Sequence, residues 1–399
     1  MPGEMRFLYC SSKLNFKVNG DYYSAGSWPY FIPALSQFFE EMYLMVPVSY
    51  HPVTWVSKLD KAPNVQVVET RAYQNKYLRF IEGYLWSFEN ILKFRKWQNK
   101  ADAVLFAIPS TLPYLAYLPF VNKPVIALVA GDEQELAKIS SSPITKIEKF
   151  IRLVKLRELL ENHLLRKSEA IICRNSEFKK SLSHRCNLPE SKINVIVPGI
   201  DTDMFKPFTL GRRSKIRQNL GLKKNMVLGF VAMGISHSKG ADTLIKAFNQ
   251  LRNEHPNVKL LLIGEDMIGF KRDQSVVYCG RVEKEKLPAY YNAMDIFVFP
   301  TRSEAAGKVL MEASACGIPV ISTNVGGPQQ LIKAGETGFL ADAEDVSGIV
   351  SYCRMLLEDE ELRKKMGEKG RKHALENFDY HPLAQRTADV IKSVATMPK

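Results

Sequence analysis

The sequence predicts an α/β protein made of two doubly wound, parallel-sheet domains in tandem, and three observations carry that prediction. The chain has 399 residues, 46% of them hydrophobic and 24% charged. At ~150 residues per domain this is material for two full cores, and it excludes a disordered or collagen-like chain. Short unbroken apolar runs of strand length alternate with longer stretches of helical periodicity. Such runs are strands buried on both faces, and alternation with helices makes the sheet parallel. Finally, the alternation stops once, at the polar, basic stretch 211–224, and then restarts. The expected organisation is a first domain over 1–208, a second over 209–380, and a last helix over 381–399 that returns to the first domain.

In chain order, the first domain has strand-like runs at 5–10, 44–48, 65–68, 103–108, 125–130, 170–173 and 193–197. The start, MPGEMRFLYC, runs straight into a strand pattern and leaves no room for a signal peptide. The longest charge-free stretch, 103–122, has the length of a membrane span, but Pro109, Pro113 and Pro119 interrupt it. It reads as a buried strand followed by an apolar helix. The second domain has runs at 226–232, 258–264, 276–279, 296–299 and 320–322, and the region 358–394 is helical and charged, broken at Pro382. Ligands of such sheets bind at the carboxyl ends of the strands. Two such domains are expected to face each other across a central cleft that holds the site.

The formal net charge is +13. Residues 1–208 carry 27 basic and 20 acidic residues, 209–225 carry 6 and none, and the remainder 22 of each. The excess therefore sits in the first half and one short segment. It suits phosphorylated substrates or anionic lipid; without a dense patch or recognition motif, nucleic acid is not expected as a partner. Six scattered cysteines, with no CxxC and no histidines at metal spacing, point to free thiols in a reducing, cytoplasmic setting. Two basic stretches, 78–97 with interleaved aromatics and 144–167, read either as helices lying peripherally on anionic membrane or as sheet-covering helices with a solvated basic face.

The stretch 299–331, FPTRSEAAGKVLMEASACGIPVISTNVGGPQQL, is the most informative. It runs from a strand end through a tight turn into a helix from about 307 to 316. Gly317 suits the left-handed position after that helix, and Pro319 blocks continuation. Small residues at Ala306 and Gly307 let a ligand approach the backbone, the helix start offers N–H groups and the positive dipole end, and Lys308 adds charge. Glu304 precedes the helix and Glu312 lies within it. Either the two carboxylates bracket a phosphate-bearing ligand, or this is a helix with a surface glutamate at each end.

Glu304 and Glu312 stand eight apart and are followed by A-x-G-x-P-V, an arrangement that resembles the retaining nucleotide-sugar glycosyltransferases of family 4, the glycogen-synthase-like group with the GT-B fold. IICRNSEFKKSL (171–182), INVIVPGIDTDMFKP (193–207), KGADTLIKAF (239–248), LLLIGE (260–265), VVYCGRVEKEKLPAYYNAMDIFVFPT (276–301) and GETGFLA (335–341) follow the family's order. The resemblance covers about 170–341 by motif and the earlier residues by topology alone. It implies transfer of a hexose-type sugar from a UDP- or GDP-sugar to a glycan or lipid-linked acceptor, with retention and without a metal or other cofactor. It also implies roles. Glu312 would hold the ribose, Glu304 the transferred sugar, and backbone N–H groups around Ala306, Gly307 and Lys308 the diphosphate. Lys239 would bind phosphate, and Arg281, Val282, Gly264 and Glu265 would line the base side.

Three departures stand out. The family's clamp arginine aligns with Gly234, leaving His237, Arg302 or Lys308 to replace its charge, and a catalytically weak GT-B binding or regulatory protein is the alternative this raises. Gln330 stands where a glutamate is common. In the first domain, VAGDEQE (129–135) stands where many members have a histidine; Asp132 either positions the acceptor hydroxyl or caps a helix. Gly26 and Ser27, at an expected helix start, are candidates for the acceptor side.

Overall fold

The computed structural model describes residues 3–11, 15–24, 28–50, 57–59, 62–71, 87–108, 117–129, 153–271 and 273–396. It divides into two compact units, Met1–Val197 with Tyr380–Lys399, and Pro198–Asp379. Gly26, Ser27 and Asp132 lie outside the described residues.

The described part of the first unit carries a ten-stranded sheet of β1 (Gly3–Cys10), β2 (Asn15–Val18), β3 (Asp21–Ser24), β4 (Phe39–Ser49), β5 (Ser57–Lys58), β6 (Val65–Arg71), β7 (Ala103–Ile108), β8 (Val125–Val129), β9 (Ala170–Cys173) and β10 (Ile193–Val195). Its order is β10-β9-β8-β7-β1-β4-β2-β3-β5, with β6 on β4. Only the β2–β3 and β3–β5 pairs are antiparallel. That hairpin was not among the expected strands. Its turn is Asn19-Gly20, both at positive φ, a dipeptide that closes two-residue hairpins because its backbone twist matches the strands.

Successive residues of these strands bury into opposite cores. Leu8, Phe106, Ile171 and Cys173 face one that includes Phe94, Tyr117 and Leu164. Phe7, Leu44, Leu105 and Ile172 face another that includes Leu35, Leu383 and Ile391. Helices α1 (Trp28–Ser36), α2 (Ser87–Gln98), α3 (Leu153–Lys167) and α4 (Ser176–Cys186) follow in the chain. The described parts of the two basic stretches are α2 and α3. Phe94 stacks on Tyr117 at 4.9 Å and Trp97 packs on Tyr43 at 5.0 Å, while Leu164 and Leu165 are buried and Arg95 and Lys96 are exposed. These segments cover the sheet. After β7 the next described element is a 3-10 turn, Leu118–Phe120. Among the described residues no helix is long and apolar enough to cross a membrane. All six cysteines are free thiols.

The second unit is a six-stranded parallel sheet of β11 (Met226–Ile235), β12 (Val258–Asp266), β13 (Val276–Tyr278), β14 (Ile296–Phe299), β15 (Val320–Thr323) and β16 (Gly338–Ala341), ordered β13-β12-β11-β14-β15-β16. Its helices are α5 (Leu210–Asn219), α6 (Ala241–Glu254), α7 (Leu287–Ala293), α8 (Lys308–Ala315), α9 (Pro328–Leu331), α10 (Val346–Glu358) and α11 (Glu360–Asn377). The last helix, α12 (Tyr380–Ala395), packs in the first unit, where Tyr380 stacks with Tyr30 at 6.2 Å.

The division falls at Val197/Pro198, not at 208/209, and side-chain contacts explain why. Phe205 meets Tyr291 edge-on at 5.9 Å. Phe208 N–H donates to Asn292 at 2.7 Å, and Arg371 donates to the carbonyls of Thr202, Phe205 and Ala315. The basic stretch lies inside the second unit. It forms α5, whose Arg213 and Arg217 pair with Asp295 at 2.5 and 3.0 Å. A mostly hidden carboxylate thus anchors two of the charges of this polar, basic stretch.

Candidate nucleotide-sugar site

In a sheet ordered 3-2-1-4-5-6 the crossovers leave in opposite directions from the two central strands, which opens a crevice at their carboxyl ends. Here those strands are β11 and β14. The chain leaves β11 through Ser236 into a 3-10 turn, His237–Lys239, then Gly240 and α6. It leaves β14 through 300–306 to Gly307 and α8.

The two loops are stitched together. Arg302 N–H and Thr301 Oγ1 both donate to Ser238 O, at 3.0 and 3.2 Å. The Arg302 guanidinium forks onto Asp242 with both bonds at 2.8 Å, and also reaches His237 O and the Glu344 carboxylate. Hydrogen bonding from Arg302 pulls the Asp242 carboxyl down to about 2 despite partial burial. Arg302 is therefore a loop fastener, not a spare cation replacing the clamp arginine. His237 is exposed, with Nδ1 3.4 Å from Asp242. An added Cβ at Gly234, the clamp position, would lie 2.3 Å from Met267 Sδ.

Within this frame, Lys239 Nζ donates to Glu304 Oε2 at 2.8 Å, and Ala306 N–H donates to Glu304 Oε1 at 3.2 Å. Burial pushes the Glu304 carboxyl up, but Lys239 and the N–H groups of Gly307 and Ala306 together hold it below the usual carboxylate range. So one carboxylate engages the groups expected to cradle a diphosphate. Gly307 adopts φ 64°, and a Cβ there would lie 2.9 Å from Leu331 Cδ1, so its smallness serves the turn and the packing as well as access.

Glu312, on α8, is 7% exposed and accepts from Tyr291 OH at 2.9 Å. Burial raises its carboxyl, against the pull of Lys284, Tyr291 and Lys308. The surface-glutamate alternative fails for Glu312. Along β12, Gly264 N–H donates to Gly280 O at 2.8 Å. Glu265 pairs with Arg281 beside the half-buried Val282. The Glu265–Arg281 pair is largely exposed and contributes little to stability. Asp242, Tyr291 and Lys284 escaped the sequence reading. Asp242 carried the one available signal, an acid in the first turn of the helix that follows Lys239-Gly240.

Asp242→Asn is expected to lower unfolding stability by about 2 kcal/mol at pH 7, since it removes a charge-assisted fork from a partly buried arginine. A depressed carboxyl stabilises above its unfolded value and loses that effect as pH falls through its folded value. The difference between wild type and variant in urea melts should therefore hold from neutrality to about pH 4 and close towards pH 2; equal melts at pH 7 would contradict the stitching.

The second unit is a Rossmann-like α/β unit with a cation and an acid joined at its switch point. A model of the family described as "Glycosyl transferases group 1" matches residues 212–373. The chain resembles the GDP-mannose-dependent alpha-(1-6)-phosphatidylinositol monomannoside mannosyltransferase of Mycolicibacterium smegmatis, 31% identical over 219 residues, 51% of this chain and 57% of that protein. It also resembles the capsular polysaccharide biosynthesis glycosyltransferase CapM of Staphylococcus aureus, 34% identical over 217 residues, 50% of this chain and 56% of that protein. These matches span little more than half the length of each relative. Among solved structures, sucrose-phosphate synthase from Thermosynechococcus elongatus aligns with TM-score 0.73 at 17% identity over 98% of this chain and 99% of that one. Anabaena Alr3699/HepE in complex with UDP and glucose aligns with TM-score 0.69 at 18% identity, over 98% and 100%. The chain has the GT-B fold, and its residues 212–373 are similar to the group 1 glycosyltransferases.

Proposed function

We propose that the protein transfers a hexose-type sugar from a UDP- or GDP-sugar to a glycan or lipid-linked acceptor, with retention of anomeric configuration, in the cytoplasm. The observation that carries this reading is the Lys239–Glu304 pair at the switch point of the second sheet. When the bond between the anomeric carbon and the phosphate oxygen breaks, the nucleoside diphosphate departs with developing negative charge. Lys239, Lys308 and the N–H groups at the start of α8 meet that charge without a metal. Glu304 then turns from phosphate-binding groups to sugar hydroxyls, and Glu312, held by Tyr291, accepts the ribose hydroxyls. The acceptor hydroxyl attacks on the leaving-group face, its proton passing to the departing diphosphate oxygen, with no protein nucleophile. Gly264, Glu265, Arg281 and Val282 line the base side, while Gly26, Ser27 and Asp132 belong to the acceptor side in this reading. A relative named as GDP-mannose-dependent, and a fold relative in complex with UDP and glucose, favour this donor class.

Thermal melts with UDP-, GDP- and ADP-sugars test the reading. A ligand at about 100 times its Kd stabilises by about 2.7 kcal/mol, a rise of roughly 5–10 °C for a unit of this size. The rise should vanish in Glu312→Ala and be reduced in Lys239→Ala. No response to any sugar nucleotide sinks the proposal. A response without donor hydrolysis or transfer supports instead the weak-binding alternative that Gly234 raises.

A further inference from the structure

Arg174 is the first residue after β9, at the carboxyl edge of the first unit's sheet. Cys173 packs into one core and Ile172 into the other, so alternation sets Arg174 on the face of Ile172, Tyr9 and Ile196. It is half-buried, and burial pushes its guanidinium below the ordinary value. The ionisable groups that face it are the Tyr9 hydroxyl and the Cys173 thiol, both themselves raised by burial and neutral. Among the described residues it has no carboxylate partner and no side-chain hydrogen bond. That sets it apart from four other arginines that are buried or half-buried. Arg213 and Arg217 hold Asp295, Arg302 holds Asp242, and Arg371 donates to three carbonyls.

An arginine cannot shed its proton to escape this environment, and a partly desolvated cation without a counter-charge is unfavourable for folding. Its planar fork matches an oxyanion bidentately. Ligands of open α/β sheets bind at this edge, and the adjoining α4 starts there. Asn175 caps α4 by accepting from Phe178 N–H at 2.7 Å, which leaves the dipole's positive end at the same edge.

We propose that Arg174 binds an oxyanion, a phosphate or carboxylate group, on the acceptor substrate. This rests on the reading of the first unit as the acceptor domain. The test is a titration of the full chain with inorganic phosphate and, separately, acetate, followed by the 15N guanidinium resonances of Arg174. A saturable shift is expected in wild type and equally in Lys239→Ala; by calorimetric titration, binding should be at least tenfold weaker in Arg174→Lys and absent in Arg174→Gln, whose Tm should equal or exceed that of wild type. A response to phosphate alone assigns a phosphate group, and one to acetate alone a carboxylate. Absence of a saturable shift with either anion, or binding undiminished in Arg174→Lys and Arg174→Gln, overturns the proposal. UDP and GDP titrations of the same samples are separate. Their failure with the Arg174 response intact removes the donor reading and leaves this one standing.

Discussion

Lys239→Ala is expected to lower kcat for transfer by about 10²–10³, the loss seen when one preorganised group facing a departing charge is removed. The wild-type geometry explains why a single substitution does so much. Lys239 sits at the crevice mouth with Nζ on Glu304 Oε2 at 2.8 Å, so its removal strips a cation from the leaving group and a partner from the acid. Glu304 is mostly buried, with its side chain 19% exposed. Burial then acts on it with less opposition, and its carboxyl should rise. In wild type the lowered carboxyl stabilises above its unfolded value and loses that contribution as pH falls through its folded value. The variant should therefore also lose about 1–3 kcal/mol at neutral pH, a loss that shrinks in acid. Lys239→Arg restores charge but not the point geometry and should recover the stability more fully than the rate. Steady-state rates beside urea melts at pH 7 and pH 4 separate these effects. A rate within threefold of wild type would remove Lys239 from the mechanism.

How much of this was legible in the sequence differs by element. The exit of α8 was, because Gly317 at φ 76° followed by Pro319 leaves the backbone no alternative. So were β11 to β15, whose apolar runs need no partner to be identified. The sixth strand, β16, was not, since only two of its four residues are buried and its pairing with β15 decides its state. The Asn19-Gly20 hairpin carried a local signal that was passed over beside the stronger β1 and β4 runs. Charge partners were the least legible. Arg302 reads as a free cation beside a phosphate site until Asp242 and Glu344, distant along the chain, are brought to it. Arg213 and Arg217 likewise read only as charges of a polar, basic stretch until Asp295 closes on them. A charge in a sequence has a sign but no address, and the fold supplies the address.

Gly240→Ala is expected to have the largest effect on stability, and through it on activity. Gly240 joins the Lys239 turn to α6 at φ 71°. A Cβ there would lie 1.7 Å from the carbonyl oxygen of Pro300, where the Glu304 loop begins. That oxygen is backbone, so neither loop can yield without moving the other. Two costs add: a left-handed conformation for a residue with a side chain, about 1–2 kcal/mol, and separation of the turn from the loop. Gly335 isolates the first cost, since it has φ 77° and nothing within 4 Å of an added Cβ. Gly335→Ala should lose about 1 kcal/mol, and Gly240→Ala about 3 kcal/mol or more, or roughly 6–12 °C in Tm for a unit of this size. The clash also pushes Lys239 away from Glu304, so Gly240→Ala should lose activity beyond what its melting point explains, whereas Gly335→Ala should not. Equal losses of stability in the two variants would mean that the close approach of the two loops contributes nothing, and with it the preorganisation assigned to the Lys239–Glu304 pair.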